Sequence, residues 1–335
     1  MSKPNNLAKK FGPPTMELKK ENPEKTYSFK GELARGKYAV IKRCQETKTK
    51  KNLVAKLIKY DKDTEKIAVQ EYEIMKDLKH DRLLTVRDAF HVRKYVVIMM
   101  DIVEGKNCLE FLGDKPRANE EDAAFVMRQT LDALKYLHSN NIVHLDVRPA
   151  NLMVKKDYTL KLIDYGCARK ITNEGGDLVD AVGVTEFAAP ELLSMDPVNG
   201  AADMWSIGVL MYILCTATLP FTSDDEDETM QAVIAVDYDM SADKFGKTTD
   251  EAKDLIKKCL VRVPTKRPTA NQVLEGEWLS NSNAQKRKTT DIPSSKFKAL
   301  NQTLTDEDKD EAVVASCTLR GFDEEEYESP DEDEE

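Results

Sequence analysis

From position 142 to 166 the chain reads I-V-H-L-D-V-R-P-A-N-L-M-V, a short turn, and then K-L-I-D-Y-G. The apolar runs 152–154 and 160–163 flank the turn at 155–158 and predict two short strands joined as a hairpin. Such a hairpin carries Asn151 into its first strand and Asp164 out of its second, so it brings an amide oxygen and a carboxylate together. Asp146 lies five residues before Asn151. The spacing H-x-D-x-x-x-x-N followed by D-Y-G is the one that phosphoryl transfer from a nucleotide uses. One carboxylate, Asp146, accepts the proton of an attacking hydroxyl, while Asn151 and Asp164 offer oxygens to magnesium. A surface loop with ordinary acidic residues has no need of that spacing.

The preceding segments supply what this chemistry lacks. Residues 27–33 read as a strand, followed by A-R-G-K-Y-A-V-I. Residues 53–58 form a second apolar run with Lys56 inside it, and a lysine there is costly unless its charge is paired. Residues 64–79 show helical periodicity, with Ile67, Ile74, Met75 and Leu78 on one face and Glu71 on the same face. Lys56 and Glu71 are therefore expected to pair, with Glu73 as the fallback; a snorkelling lysine and a solvated glutamate are the plain alternative. Residues 86–90 and 95–102 continue as strands. Ala124, Met127, Leu131 and Leu134 mark a long amphipathic helix ending near Asn140, and A-D-M-W-S-I-G-V-L-M-Y-I-L is apolar almost all round, as a buried central helix is.

Composition narrows the setting. The chain has 335 residues, enough for one two-lobed enzyme or two small domains, and a formal net charge of −10. That balance argues against non-specific binding to nucleic acid or to an anionic membrane. The six cysteines contain no C-x-x-C pair and read as reduced thiols. The N-terminus has no apolar signal core, and the block 204–214 is too short to span a bilayer. The expectation is an intracellular soluble protein. D-E-D-K-D at 306–310 imitates a calcium loop but has Glu311 at its sixth position and Cys317 at its twelfth, so it is not one.

Over roughly residues 29–278 these features resemble the eukaryotic protein kinase family. H-L-D at 144–146 is similar to the myosin light chain kinase group. E-F-A-A-P-E at 186–191 and I-P-S-S-K-F at 292–297 resemble the giant muscle kinases of the twitchin, titin and obscurin type. The resemblance implies an α+β, bilobal protein kinase fold with a small β-rich N-lobe and a larger, mainly helical C-lobe. It divides the chain into a flexible lead-in (1–26), a kinase domain (27–279, lobes 27–101 and 104–279), a candidate regulatory tail (280–322) and an acidic, disordered end (323–335).

It also assigns the site. ATP and Mg2+ are the implied cofactors. Leu33, Ala34, Arg35, Gly36, Lys37, Tyr38, Ala39 and Ile41 would cover the nucleotide, and Ala55, Lys56 and Glu71 would stand behind it. Met100 would guard the adenine, with Asp101 and Val103 in the hinge and Asn107 where many relatives carry a ribose-binding Glu. Asp146 and Arg148 are the implied catalytic pair, and Asn151 and Asp164 the metal ligands. Asp203 would brace the catalytic loop, and Arg267 would pair with Glu191.

Several departures argue for impaired activity: Ala34 and Ala39 for outer loop glycines, Arg148 for Lys, Ala150 for Glu, and Val184 for a Thr. Two functions follow from the resemblance. One is a serine/threonine kinase, so assigned from V-R-P-A-N at 147–151, acting on a cytoskeletal or sarcomeric protein in the cytoplasm. The other is a pseudokinase scaffold for muscle proteins. The tail, with Lys286, Arg287, Lys288, Lys296 and Lys298 among Ile292, Phe297 and Leu300, is a candidate inhibitor lying along the cleft; a solvated linker is the alternative. A calmodulin site is disfavoured because Pro293 interrupts any helix.

Leu145 replaces the Arg that pairs with a phosphorylated activation loop, and residues 173–184 hold no Ser, Thr or Tyr. Treatment with a broad phosphatase is therefore expected to leave kinase activity unchanged. A large loss, with the phosphate mapped outside the tail, would contradict this.

Overall fold

The computed structural model describes residues 18–35, 39–60, 65–173, 176–177, 179, 183–280, 283–288 and 292–305. In chain order β1 (Tyr27–Arg35), β2 (Ala39–Glu46) and β3 (Asn52–Lys59) lead to helix α1 (Glu65–Met75), then β4 (Val86–Val92) and β5 (Tyr95–Asp101). These strands form one antiparallel sheet in the order β1-β2-β3-β5-β4. Alternation along the strands gives the sheet two apolar faces. Leu53, Ala55, Leu57, Val97 and Met99 pack with Tyr27, Cys44 and Phe90 on one face. Ile58, Val96, Ile98 and Met100 join α1 and the main core on the other.

The helix predicted over 64–79 stops at Met75. Lys76 and Asp77 are exposed, and Leu78 reaches the core through a turn in which its N–H donates to Met75 O. The lead-in is not wholly detached either. From Leu18 on it packs on the small lobe: Lys19 N–H donates to Ala89 O (3.1 Å), and His91 N–H donates to Lys19 O (3.0 Å). This bridge covers the outer edge of β4, which would otherwise expose unpaired backbone groups.

Past the sheet come β6 (Gly105–Asn107), α2 (Cys108–Gly113), α3 (Glu120–Ser139), β7 (Ile142–Val143), β8 (Leu152–Lys155), β9 (Leu160–Leu162) and β10 (Arg169–Lys170). β8 and β9 form the predicted hairpin, in register Leu152↔Leu162 to Val154↔Leu160. The rest is helical: α4 (Pro190–Leu193), α5 (Ala201–Thr216), α6 (Glu226–Ala235), α7 (Ala242–Phe245), α8 (Asp250–Cys259), α9 (Ala270–Leu274) and α10 (Ala284–Arg287). Every residue of α5 after Ala201 is buried, as its all-round apolar sequence requires. Arg267 and Glu191 meet in this core through paired bonds of 2.6 and 2.8 Å, with both side chains buried.

The described part of the tail, residues 283–288 and 292–305, is not a solvated linker. Arg287 is fully buried and donates to Glu121 Oε2 (2.7 Å) and to the carbonyl of Trp278. Ile292 exchanges two backbone hydrogen bonds with Ala118. Residues 294–305 form a further helix, α11, whose Phe297 is fully buried and whose Leu300 and Leu304 pack on the core. Pro293 does not interrupt this helix; it immediately precedes it, where a missing N–H is harmless. The acidic end and the calcium-loop mimic lie outside the described residues.

Removing one partner of a buried ion pair leaves the other charge uncompensated. Arg267→Ala is expected to destabilise the chain by about 3–5 kcal/mol in chemical denaturation. A loss under about 1 kcal/mol, typical of an exposed pair, would contradict the burial seen here.

Candidate active site

Lys56 lies on β3 between Ile41 of β2 and Ile98 of β5. Its ammonium donates to Glu71 Oε1 on α1 and to Asp164 Oδ1 beyond β9, each at 2.8 Å. Glu73 instead pairs with Lys76, one turn on, so the fallback partner is excluded. Lys56 and Glu71 are 12% and 5% exposed, whereas Asp164 keeps 49% of its side chain open. Burial alone would lower the Lys56 pKa, but the Asp164 and Glu71 carboxylates override it and hold it above the usual lysine value. Burial raises Glu71 above the ordinary carboxylate range, with Lys56 pulling against it. Asp164, facing the Lys56 charge, is held down at about 2 and is ionised at neutral pH.

The catalytic-loop residues meet as the spacing predicts. Asn151 Nδ2 donates to Asp146 O (2.9 Å) and to Asp146 Oδ2 (2.6 Å). The β8–β9 hairpin holds Asn151 beside the strand leading to Asp164, with Ile163 N–H donating to Asn151 O at 2.9 Å. Arg148 Nε lies 3.2 Å from Asp146 Oδ1. Burial pushes the Asp146 carboxyl up, against the opposing charge of Arg148.

This geometry hangs on Asp203, fully buried in α5. Its Oδ1 accepts from Leu145 N–H (2.8 Å), and its Oδ2 from His144 N–H (2.9 Å) and His138 Nε2 (2.8 Å). The anchor holds Leu145 at φ 63°, a left-handed conformation that non-glycine residues adopt only under constraint. Asp164 sits at φ 61° in the same way. Gly183, at φ 88°, passes so close that an added Cβ would meet Leu145 O at 2.8 Å. Val184, beside it, packs on the core without offering a hydroxyl to Asp146.

The residues expected to face a nucleotide divide. Ala34 and Arg35 stand opposite Ile41 and Val40 on the β1–β2 ribbon, Ala39 stands opposite Ile58, and Leu33 is exposed. Gly36, Lys37 and Tyr38 lie outside the described residues. Met100 is buried, and Val103 packs on the same core. Asp101 turns its carboxylate away to Arg87 (2.6 and 2.7 Å) and Lys51 (2.8 Å), so only its backbone can serve a hinge.

Two assignments need correction. Ala55 is fully buried on the far face of the sheet with Leu53 and Leu57, because residues adjacent to Lys56 must point the opposite way. Val54, two residues from Lys56 and paired with Met100, takes the inward position; alternation counted back from Lys56 was the signal for it. Asn107 is a helix cap: its Oδ1 accepts from Leu109 and Glu110 N–H, while its Nδ2 donates to Asn301 Oδ1 of the tail at 2.7 Å. The tail cations also differ from expectation. Arg287 reaches Glu121 and Lys286 reaches Glu251, both outside the cleft.

The donors suit a hard cation. Asn151 directs its amide nitrogen at Asp146, which leaves its oxygen available. Asp164 Oδ1 takes Lys56 and Gly166 N–H, and Oδ2 has no partner among the described contacts. Two oxygen ligands completed by phosphate and water are what Mg2+ accepts.

Asp203→Asn keeps the shape but turns an NH2 toward N–H donors. Hydrogen bonds to a charged group contribute about 1.5–3 kcal/mol each, so a loss of at least about 2 kcal/mol at neutral pH is expected in chemical denaturation. The Asp203 pKa is held below the ordinary carboxylate value: burial opposes this, and the His138 and backbone hydrogen bonds outweigh it. A depressed carboxyl stabilises the fold above its unfolded pKa and loses that contribution as pH falls through its folded one. The gap between native chain and variant should therefore narrow below about pH 4; a gap that stays constant down to pH 2 would contradict the assignment.

The protein kinase domain family model matches residues 27–279. The chain is 34% identical over 285 residues to death-associated protein kinase 2 of Mus musculus, covering 81% of this chain and 76% of that protein. The twitchin kinase region from C. elegans superposes with a TM-score of 0.80 at 32% identity, over 92% of this chain; this chain spans only 54% of that one. The autoinhibited serine kinase domain of the giant muscle protein titin gives a TM-score of 0.75 at 28% identity, covering 84% of this chain and 88% of that one.

Proposed function

Because the chain belongs to the protein kinase family and is a protein serine/threonine kinase, we propose that it phosphorylates a cytoskeletal or sarcomeric protein, with reduced turnover and under restraint from its own tail. The observation that carries the reading is the ammonium of Lys56 held between Glu71 and Asp164, with Asp146 and Asn151 hydrogen-bonded beside it. Bound Mg-ATP would supply the phosphoryl group and the charge neutralisation its transfer needs. Lys56 would then orient the α- and β-phosphates, and Asn151 and Asp164 would hold the metal. Asp146 would accept the proton of the substrate hydroxyl, and Arg148 would offer the phosphoryl group the fixed geometry of a guanidinium.

The proximity of Arg148 to Asp146 and the absence of a hydroxyl at Val184 support slow turnover. A pseudokinase scaffold is the second reading. Mg-ATP binding followed by radiolabel transfer to a basic peptide separates the two. Transfer abolished by Asp146→Asn supports the enzyme; binding without transfer supports the scaffold.

Restraint by the tail is supported by α11, which reaches Asn107 at the start of α2. Relatives described as an autoinhibited titin kinase and an autoregulated twitchin kinase offer the analogy. The cut that tests it belongs after Lys288, since Arg287 is part of the lobe. A chain ending at Lys288 is expected to phosphorylate peptide severalfold faster than the full chain, and residues 289–305 added as a peptide should slow it again. Equal rates would leave the tail a structural strap.

A further inference from the structure

Apart from the residues assigned above, a surface cleft of about 480 Å³, open to solvent, is lined by Leu78, Lys79, His80, Asp81, Thr85 and Lys161. The volume lies within the ~300–1,000 Å³ of small-molecule sites. Its lining is polar apart from Leu78. Lys161 is partly buried, and its ammonium donates to a single described acceptor, Leu83 O, at 2.8 Å. An ammonium has three hydrogens to donate, so two remain. Neither the Lys79 ammonium nor the Thr85 hydroxyl has a described side-chain partner.

The other titratable groups at hand are accounted for. The His80 ring stacks on Tyr136 at 4.9 Å, its Nδ1 accepts from Arg82 N–H, and its Nε2 lies 3.7 Å from Asp132. Arg82 Nε lies 3.8 Å from the same carboxylate. Asp81 is the one carboxylate among the lining residues, against two ammonium groups, so the lining has a net positive charge. Burial pushes the Lys161 pKa down, as expected of a cation with too little counter-charge.

The donors stand on three separate pieces of chain: the segment after α1, the entry to β4, and β9. A planar carboxylate offers its oxygens in one plane, whereas a tetrahedral phosphate faces all three. The space beyond one phosphate, and the Asp81 carboxylate as an acceptor, suit a hydroxyl-bearing remainder. We propose that this surface cleft binds a small phosphate ester carrying hydroxyl groups, at a site separate from the catalytic cleft. The proposal does not rest on the kinase reading. The site is nonetheless joined to that machinery by backbone: Leu162 N–H donates to Arg82 O at 2.8 Å, and Asp164 follows Lys161 by three residues.

Glycerol 3-phosphate, titrated into the full chain with residue-resolved amide NMR, tests the idea, with glycerol as the control. Saturable shifts at residues 79–85 and 161 are expected from the phosphate ester and none from glycerol. Lys79→Met, which breaks no described contact, should weaken binding severalfold. Lys161→Met should weaken it roughly tenfold, the loss of one charge-assisted contact. Shifts confined to the surroundings of Lys56 and Asp164, equal response to glycerol, or undiminished binding by Lys79→Met would each overturn the proposal.

Discussion

The ammonium of Lys56 ties the sheet of the small lobe to the machinery of the large one. It sits on the central strand of the sheet, takes one carboxylate from α1 and another from the far side of the β8–β9 hairpin, and is nearly closed off from water. The Lys56 and Glu71 charges would each be unfavourable there alone, so each holds the other in place, and Asp164, half open to water, adds a second counter-charge. The position of α1 against the sheet, and of Asp164 against both, follows from that mutual need.

The C-lobe contributes a second fixed point through Asp203. Two backbone N–H groups and a histidine converge on its carboxylate inside an apolar helix, and this convergence holds the strained turn at Leu145. Asp146 owes its place to that turn. The reactive residues are thus positioned mostly by groups that never meet a substrate.

Much of this was legible in the residues. Lys56 inside an apolar run and Glu71 on an apolar helical face each announced a missing partner. The hairpin followed from two short apolar runs around a turn. What escaped had identifiable causes. Ala55 was placed by motif where alternation demanded Val54. Asn107 and Glu110 carry a local capping-box pattern that reveals the cap, whereas the contact of Asn107 with Asn301, 194 residues away, is one no local pattern reveals. The tail could be read either as an inhibitor along the cleft or as a solvated linker, yet Phe297, Leu300 and Leu304 fall on one helical face, and that spacing is enough to bury them. Pro293 read as a breaker, although a proline is equally a place for a helix to start.

The seating of Asp203 in α5 bears on how a lineage of such chains can change. The carboxylate that shapes the catalytic turn is also a buried charge on which the large lobe's packing depends, whereas the described side-chain contacts of Asp146 stay within its own loop, with Asn151 and Arg148. Substitution within that loop can silence chemistry and leave the scaffold standing; substitution at the brace removes both together. Drift toward a purely architectural role is therefore open to descendants of this fold through the reactive residue, and closed to them through its support.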